Sequence, residues 1–130
     1  MAHYLDTSAL VKLVVAETET PALLAWLEAD DRTPISSDLA RTELVRAVRR
    51  NAPELATRAT EVLDSIILLT LRPSIFEQAG RLSPTEIRSL DAIHLAAALD
   101  LGDDLDAIVT YDDRQANAAT ANGVPVISLR

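Results

Sequence analysis

Asp6, Glu43, Asp91 and Asp112 each border or interrupt a stretch otherwise suited to burial. Burying ionised carboxylates together is expensive, and like charges at close range force protonation unless cations compensate. A cluster of carboxylates among apolar elements reads as a site for divalent cations. The first acid lies in Ala2-His3-Tyr4-Leu5-Asp6-Thr7-Ser8-Ala9-Leu10, where a short extended run ends at Asp6 and a helical apolar pattern starts within two residues. The fourth repeats the arrangement: the β-branched run Ala107-Ile108-Val109-Thr110 gives way to a polar segment from Asp112 toward Asn122. Two acids thus stand at carboxyl ends of strands, the edge where open α/β sheets bind ligands if the two strands are neighbours at the point where strand order reverses. Sequence does not establish that adjacency. Asp is also a favoured helix N-cap, so each residue alone is equally read as closing a helix terminus.

Glu43 and Asp91 are harder to assign to caps. Within Asp38 to Asn51, Ala40, Leu44, Ala47 and Val48 form an amphipathic stripe, and Glu43 falls on it, three residues after Ala40. The competing reading is a salt bridge to Arg46 at helical spacing. Asp91 opens Ser89-Leu90-Asp91-Ala92-Ile93-His94-Leu95-Ala96-Ala97-Ala98-Leu99, a helix apolar on every side and therefore expected to be sheathed by other elements. Only Asp91 and His94 interrupt it, three residues apart and so on one face. Asp91 also suits the positive end of a helix dipole. His94 reads as a hydrogen-bonded core histidine rather than a ligand. Two Mg²⁺ or Mn²⁺ ions would supply the compensation that the clustered acids need.

A chain of 130 residues, 48% hydrophobic, is most simply one compact domain over residues 1–130 that buries roughly two-thirds of its unfolded surface. No apolar stretch approaches the roughly 20 residues of a membrane span. The amino terminus shows no basic flank or apolar signal core and cysteine is absent, which points to a cytoplasmic location. A net charge of −8 argues against a general nucleic-acid binder, an objection that weakens if four acids pair with metal. Lys12 is the one lysine. Arg41, Arg46, Arg49 and Arg50 crowd onto the Glu43 segment, either to grip phosphates bidentately or to lace a solvated face to Asp38 and Glu54. With four aromatic residues, base stacking is not the main grip on RNA.

Thr20-Pro21 has the pattern of an N-cap with proline at the first helical position, giving a second helix before a short strand at Pro34-Ile35-Ser36-Ser37. Pro53 starts a helix with Ala56, Ala59, Val62, Leu63 and Ile66 on its buried face, leading into a buried parallel strand at Ile67 to Leu71. Pro73 and Pro84 each reopen a helix, the second leading into the Asp91 segment, and Val124 to Leu129 reads as a terminal strand. The alternation predicts an α/β fold, a parallel central sheet flanked by helices on both faces.

Leu5-Asp6-Thr7-Ser8-Ala9-Leu10, the acid in Ala40-Arg41-Thr42-Glu43-Leu44, Leu90-Asp91-Ala92-Ile93-His94-Leu95-Ala96 and Val109-Thr110-Tyr111-Asp112 together resemble a PIN domain of the VapC toxin type. The resemblance covers essentially the whole chain in order, spacing and context. It implies a PIN-like fold and a Mg²⁺-dependent (or Mn²⁺-dependent) endoribonuclease, the toxin of a type II toxin–antitoxin pair. Asp6, Glu43, Asp91 and Asp112 take the family's acidic catalytic and metal positions, with Asp6 and Asp91 the firmest ligands. Ser8 and Thr110 take supporting hydroxyl positions. Asp112 is preferred to Asp113 because it follows Thr110 by two residues, as the family pattern does; Asp113 then starts a helix. Tyr111 is open between the substrate groove and packing. The resemblance further implies an RNA substrate cut to leave 5′-phosphate and 3′-hydroxyl ends, a homodimer, and a small VapB-like antitoxin laid into a groove near the acids.

The alternative is a catalytically idle PIN-fold module that binds RNA or a partner without turnover. A phosphoacceptor receiver domain lacks its parts here: Asp6 stands alone after the first strand, no Asp lies within Ile67 to Pro73, and Lys12 sits in the first helix. A nucleotide-binding loop is absent, since Gly80, Gly102 and Gly123 form no phosphate cradle after a strand.

Overall fold

A computed structural model describes residues 1–130. Five strands, β1 (Ala2–Leu5), β2 (Thr33–Ser37), β3 (Ile67–Leu69), β4 (Leu105–Val109) and β5 (Val126–Ile127), form one sheet in the order β3-β2-β1-β4-β5, every pair parallel. The expected α/β class and parallel sheet are found. From central β1 the chain first steps outward through β2 to β3, then returns to lay β4 on the other side of β1. Right-handed crossovers put outward and return connections on opposite faces. Accordingly α1 (Thr7–Val14), α2 (Thr20–Leu27), α3 (Leu39–Asn51) and α4 (Ala56–Ser65) cover one face, and α5 (Pro73–Gly80), α6 (Ser89–Leu99) and α7 (Asp113–Ala121) the other.

Strand alternation divides the core. Tyr4 and Ile108 pack with Leu95, Ala96, Ala98 and Ala119 on the α6 face; Leu5 and Val109 pack with Leu10, Leu23, Leu44 and Val48 on the other. The small side chains of α6 let it lie close against the sheet, and residues Ala92 and His94 to Ala98 are buried. Leu90 on its outer side is half exposed, so the helix is not sheathed on every side.

Several segments differ from their sequence patterns. The run expected to be a buried strand from Ile67 to Leu71 pairs only over Ile67–Leu69 at the sheet edge, with Ile67 52% exposed, because no further strand covers it. The terminal strand is confined to Val126–Ile127. Pro84 does not open the Asp91 helix but lies in the preceding turn; α6 begins at Ser89. Pro53 opens a 3₁₀ turn before α4, and Ala56 is exposed. Thr20 is not a side-chain cap: its hydroxyl donates to the Lys12 carbonyl at 2.7 Å and accepts from the Glu17 N–H at 3.0 Å, tying α1 to α2. No helix is long and apolar enough to cross a membrane.

Candidate active site

β1 and β4 are hydrogen-bonded neighbours, and the reversal of strand order falls between them. In a parallel sheet the covering helices run against the strands, so their amino termini collect at the strands' carboxyl edge. Asp6 follows β1 and caps α1, its carboxylate accepting from the Ala9 N–H at 3.2 Å. Asp112 follows β4 and caps α7, accepting from the Arg114 N–H at 2.9 Å. Asp91 is in the first turn of α6 and Glu43 in the second turn of α3. Both capping readings therefore hold, and they coexist with the cluster: the positive ends of helices are where acids are tolerated.

Asp6 is the most constrained. Only 4% exposed, its carboxylate accepts the Ser8 hydroxyl at 2.6 Å and the Thr110 hydroxyl at 2.5 Å. Ser8 Oγ in turn accepts from the Tyr111 N–H at 2.9 Å and Thr110 Oγ1 from the Asp112 N–H at 3.1 Å. The supporting positions assigned to Ser8 and Thr110 thus clamp Asp6 and stitch the β1 and β4 ends together. Burial pushes the Asp6 carboxyl above its ordinary range against these donors.

Glu43 does not pair with Arg46. Its carboxylate accepts from Thr7 Oγ1 at 2.7 Å and lies 2.5 Å from His94 Nε2, while His94 Nδ1 lies 2.7 Å from the Tyr4 hydroxyl. Tyr4 also donates to Ser37 Oγ at 2.9 Å. His94 is 3% exposed and hydrogen-bonded at both nitrogens, the core histidine expected, but its ring also joins α6 to Glu43 on α3. Burial raises the Glu43 pKa; the His94 and Thr7 hydrogen bonds and the charge on His94 outweigh it and hold Glu43 below its ordinary value. Thr7, Tyr4 and Ser37 were not singled out from sequence. Thr7 lies between Asp6 and Ser8, and that position was the available signal.

Asp91 is raised first by burial, then by repulsion from Asp112 and Asp6. Asp112 is exposed, so the four acids grade from buried Asp6 to an open side. Asp113 is the first residue of α7, as expected. Tyr111 packs against the Leu10 side of the core with Lys12 Nζ 4.7 Å above its ring, as its packing reading requires. Lys12 is held by Glu17 and Glu19, and the arginine ion pairs are Arg32–Asp31, Arg41–Asp38 and Arg72–Asp100. No lysine or arginine is therefore ion-paired with any of the four acids, while no three of them close into a ready-made metal cage.

The chain matches the PIN domain family over residues 3–121. It is 44% identical over 128 residues to Ribonuclease VapC46 of Mycobacterium tuberculosis, covering 98% of this chain and 97% of that protein. It is 42% identical to Ribonuclease VapC35 of the same organism, covering 96% and 95%. In fold it resembles M. tuberculosis VapC20, described as a Sarcin-Ricin loop cleaving toxin, with a TM-score of 0.74 at 18% identity over 89% and 94% of the two chains. It also resembles VapBC2 from Rickettsia felis, solved bound to a DNA fragment from their promoter, with a TM-score of 0.73 at 15% identity over the full length of both chains. On sequence and architecture together, the chain belongs to the PIN-domain family and, within it, to the VapC ribonucleases.

Proposed function

We propose that residues 1–130 act as one unit that hydrolyses RNA phosphodiester bonds with Mg²⁺, or Mn²⁺, held at Asp6, Asp91, Glu43 and Asp112. The observation that carries this reading is the gathering of four carboxylates at the switch point with no lysine or arginine ion-paired to them, two of them raised by burial. Such a donor set fits a hard divalent cation, and an open arrangement suits Mg²⁺, which takes one or two carboxylates directly and keeps several waters. When bound, the ion supplies Lewis acidity toward the attacking water and the phosphoryl oxygens.

Asp6 and Asp91 are the direct ligands in this reading. Ser8 and Thr110 hold both oxygens of Asp6 in one orientation, so little rotamer entropy remains to be lost on binding. Glu43, kept ionised by Thr7 and His94, is placed to accept a proton or orient water, and Asp112 takes the solvent side. The alternative of an idle binding module leaves this ordered set of hydroxyl and imidazole supports without a purpose. By the family resemblance, the protein is the toxin of a type II pair, working in the cytoplasm as a homodimer and restrained by a small VapB-like antitoxin. The exposed Leu24, Phe76 and Leu90 support contact with further chains.

The test is incubation of purified protein with total cellular RNA in Mg²⁺, Mn²⁺ or EDTA, with sequencing of new ends. Discrete cuts that need metal and leave 5′-phosphates are expected; uniform absence of cuts from folded, metal-loaded protein would favour the idle module.

His94 is buried and, of the four acids, hydrogen-bonds only Glu43, so its contribution runs through Glu43. His94→Ala is expected to cost about 10–100-fold in cleavage, the usual range for a residue that orients a ligand. His94→Gln, whose amide N–H reaches a similar position, recovers part of it. A Mg²⁺ titration of the rate checks this: the alanine variant needs more metal for half-maximal rate, and an unshifted midpoint at full activity removes His94 from the site.

A further inference from the structure

A cleft of about 410 Å³ is lined by the turn from Pro84 to Arg88, by the start of α6 and by the first turns of α7. Asp91 is among its lining residues, so the cleft shares one acid with the cluster. Its walls carry Arg88 and Arg114, neither of which enters an ion pair within the chain, and Asn117. Gln115, fully buried, donates from Nε2 to the Asp91 carbonyl at 3.1 Å and so clamps α7 to α6 beneath it. That hydrogen bond fixes the spacing of the two helices that line the cleft.

Its volume falls within the roughly 300–1,000 Å³ of small-ligand sites, room for one nucleotide and too little for a duplex. Two guanidiniums without partners, in a chain of net charge −8, mark the place beside the acids where a phosphate gains rather than loses electrostatic energy. Glu86 is the other anion at the rim. With Asp91 engaged by a cation, the two arginines outnumber it.

Resting on the ribonuclease reading above, we propose that this cleft seats the single-stranded RNA nucleotide next to the scissile bond, its phosphate gripped by Arg88 and Arg114, with Asn117 offered to the base or ribose edge and Ile87 as the apolar wall. Arg88 and Arg114 are positioning residues: they set where the RNA enters and take no part in the bond-breaking step. Arg46, Arg49 and Arg50 line a separate, wholly basic hollow on α3 and offer the competing track.

The test uses Glu43→Gln protein, expected to bind RNA without cutting it, with Mg²⁺ and a fluorescein-labelled, randomised-sequence single-stranded RNA. Fluorescence anisotropy is read across a salt series. Adding Arg88→Ala or Arg114→Ala is expected to weaken binding on the order of tenfold, as for loss of a charge-assisted hydrogen bond. Each should reduce the slope of log affinity against log salt by about 0.7, the value per phosphate contact on a single strand. Arg88→Lys and Arg114→Lys restore the slope, while Arg46→Ala and Arg50→Ala leave it unchanged. An unchanged slope in the cleft variants, a drop confined to the α3 variants, or no binding by the Glu43→Gln parent overturns the assignment. Cleavage of total RNA by protein with the native Glu43 is scored separately, so failure of the nuclease reading is distinguishable from failure of the cleft.

Discussion

Replacing Asp91 by alanine is expected to lower RNA cleavage on the order of 10³-fold while leaving the chain folded. A divalent ion at a reacting phosphate supplies several kcal/mol of charge stabilisation, and each 1.36 kcal/mol is about tenfold in rate. Asp91 is the cleanest acid to remove because no side-chain hydrogen bond depends on it; Gln115 binds its backbone carbonyl, which the substitution retains. Asp6→Ala should be as inactive but is a poorer probe, since it also strips the α1 cap, typically worth about 1 kcal/mol, and removes the acceptor of the Ser8 and Thr110 hydroxyl protons. Initial rates on one RNA, with circular-dichroism melts of each protein, separate the two effects. A folded, metal-loaded Asp91→Ala protein that cuts at the native rate removes Asp91 from the site.

Metal-free protein should lose stability as pH rises above about 4, and divalent metal should return it. Asp6 and Asp91 have pKa values raised above 3.8 in the folded chain, so the native state binds more protons than the unfolded state from that pH up through the raised values. Stability therefore falls across that window and stays low above it. Glu43 has the opposite sign. Its folded pKa lies below 4.5, so it contributes stability that is present above that value and lost as pH falls through the folded one.

Saturating Mg²⁺, at about 100 times its Kd, adds about 2.7 kcal/mol to the folded state, a rise in Tm on the order of 10 °C for a chain of this size. Asp91→Asn, which deletes the repulsion with Asp112 and Asp6, should melt higher than the native chain in EDTA at neutral pH and gain less from Mg²⁺. Thermal melts from pH 4 to 8, with and without metal, read all of this. A flat pH profile in EDTA, or equal Mg²⁺ gains for both proteins, contradicts the electrostatic account of the cluster.

Much of the site was legible because the chemistry forces rare residue types into conspicuous places. Asp6 and Asp112 stand where apolar runs break into helices, and Asp91 interrupts a helix of alanines and leucines that becomes buried α6. The edges of the fold were less legible. Ile67 to Leu71 has the composition of a central strand, yet it forms a short edge strand, since composition records what a segment tolerates and not how many neighbours it finds. Thr20-Pro21 does open a helix, but the Thr20 hydroxyl bridges back to the Lys12 carbonyl of the preceding helix instead of capping its own, and the helix-start pattern at Pro84 ends up in a turn.

The sequence by itself determined the order of strands and helices, a parallel sheet covered on both faces, and which four acids border or interrupt its apolar elements, because hydrophobic period and acidic intrusions are local properties of the chain. Only the tertiary structure decided that β1 and β4 are neighbours, that Glu43 turns to Thr7 and His94 rather than to Arg46, and that Arg88 and Arg114 meet across a cleft beside Asp91. Those pairings join residues up to about a hundred positions apart, and no local pattern encodes them. They follow from where right-handed crossovers return the chain and from which donors then lie within reach of a carboxylate leaving water.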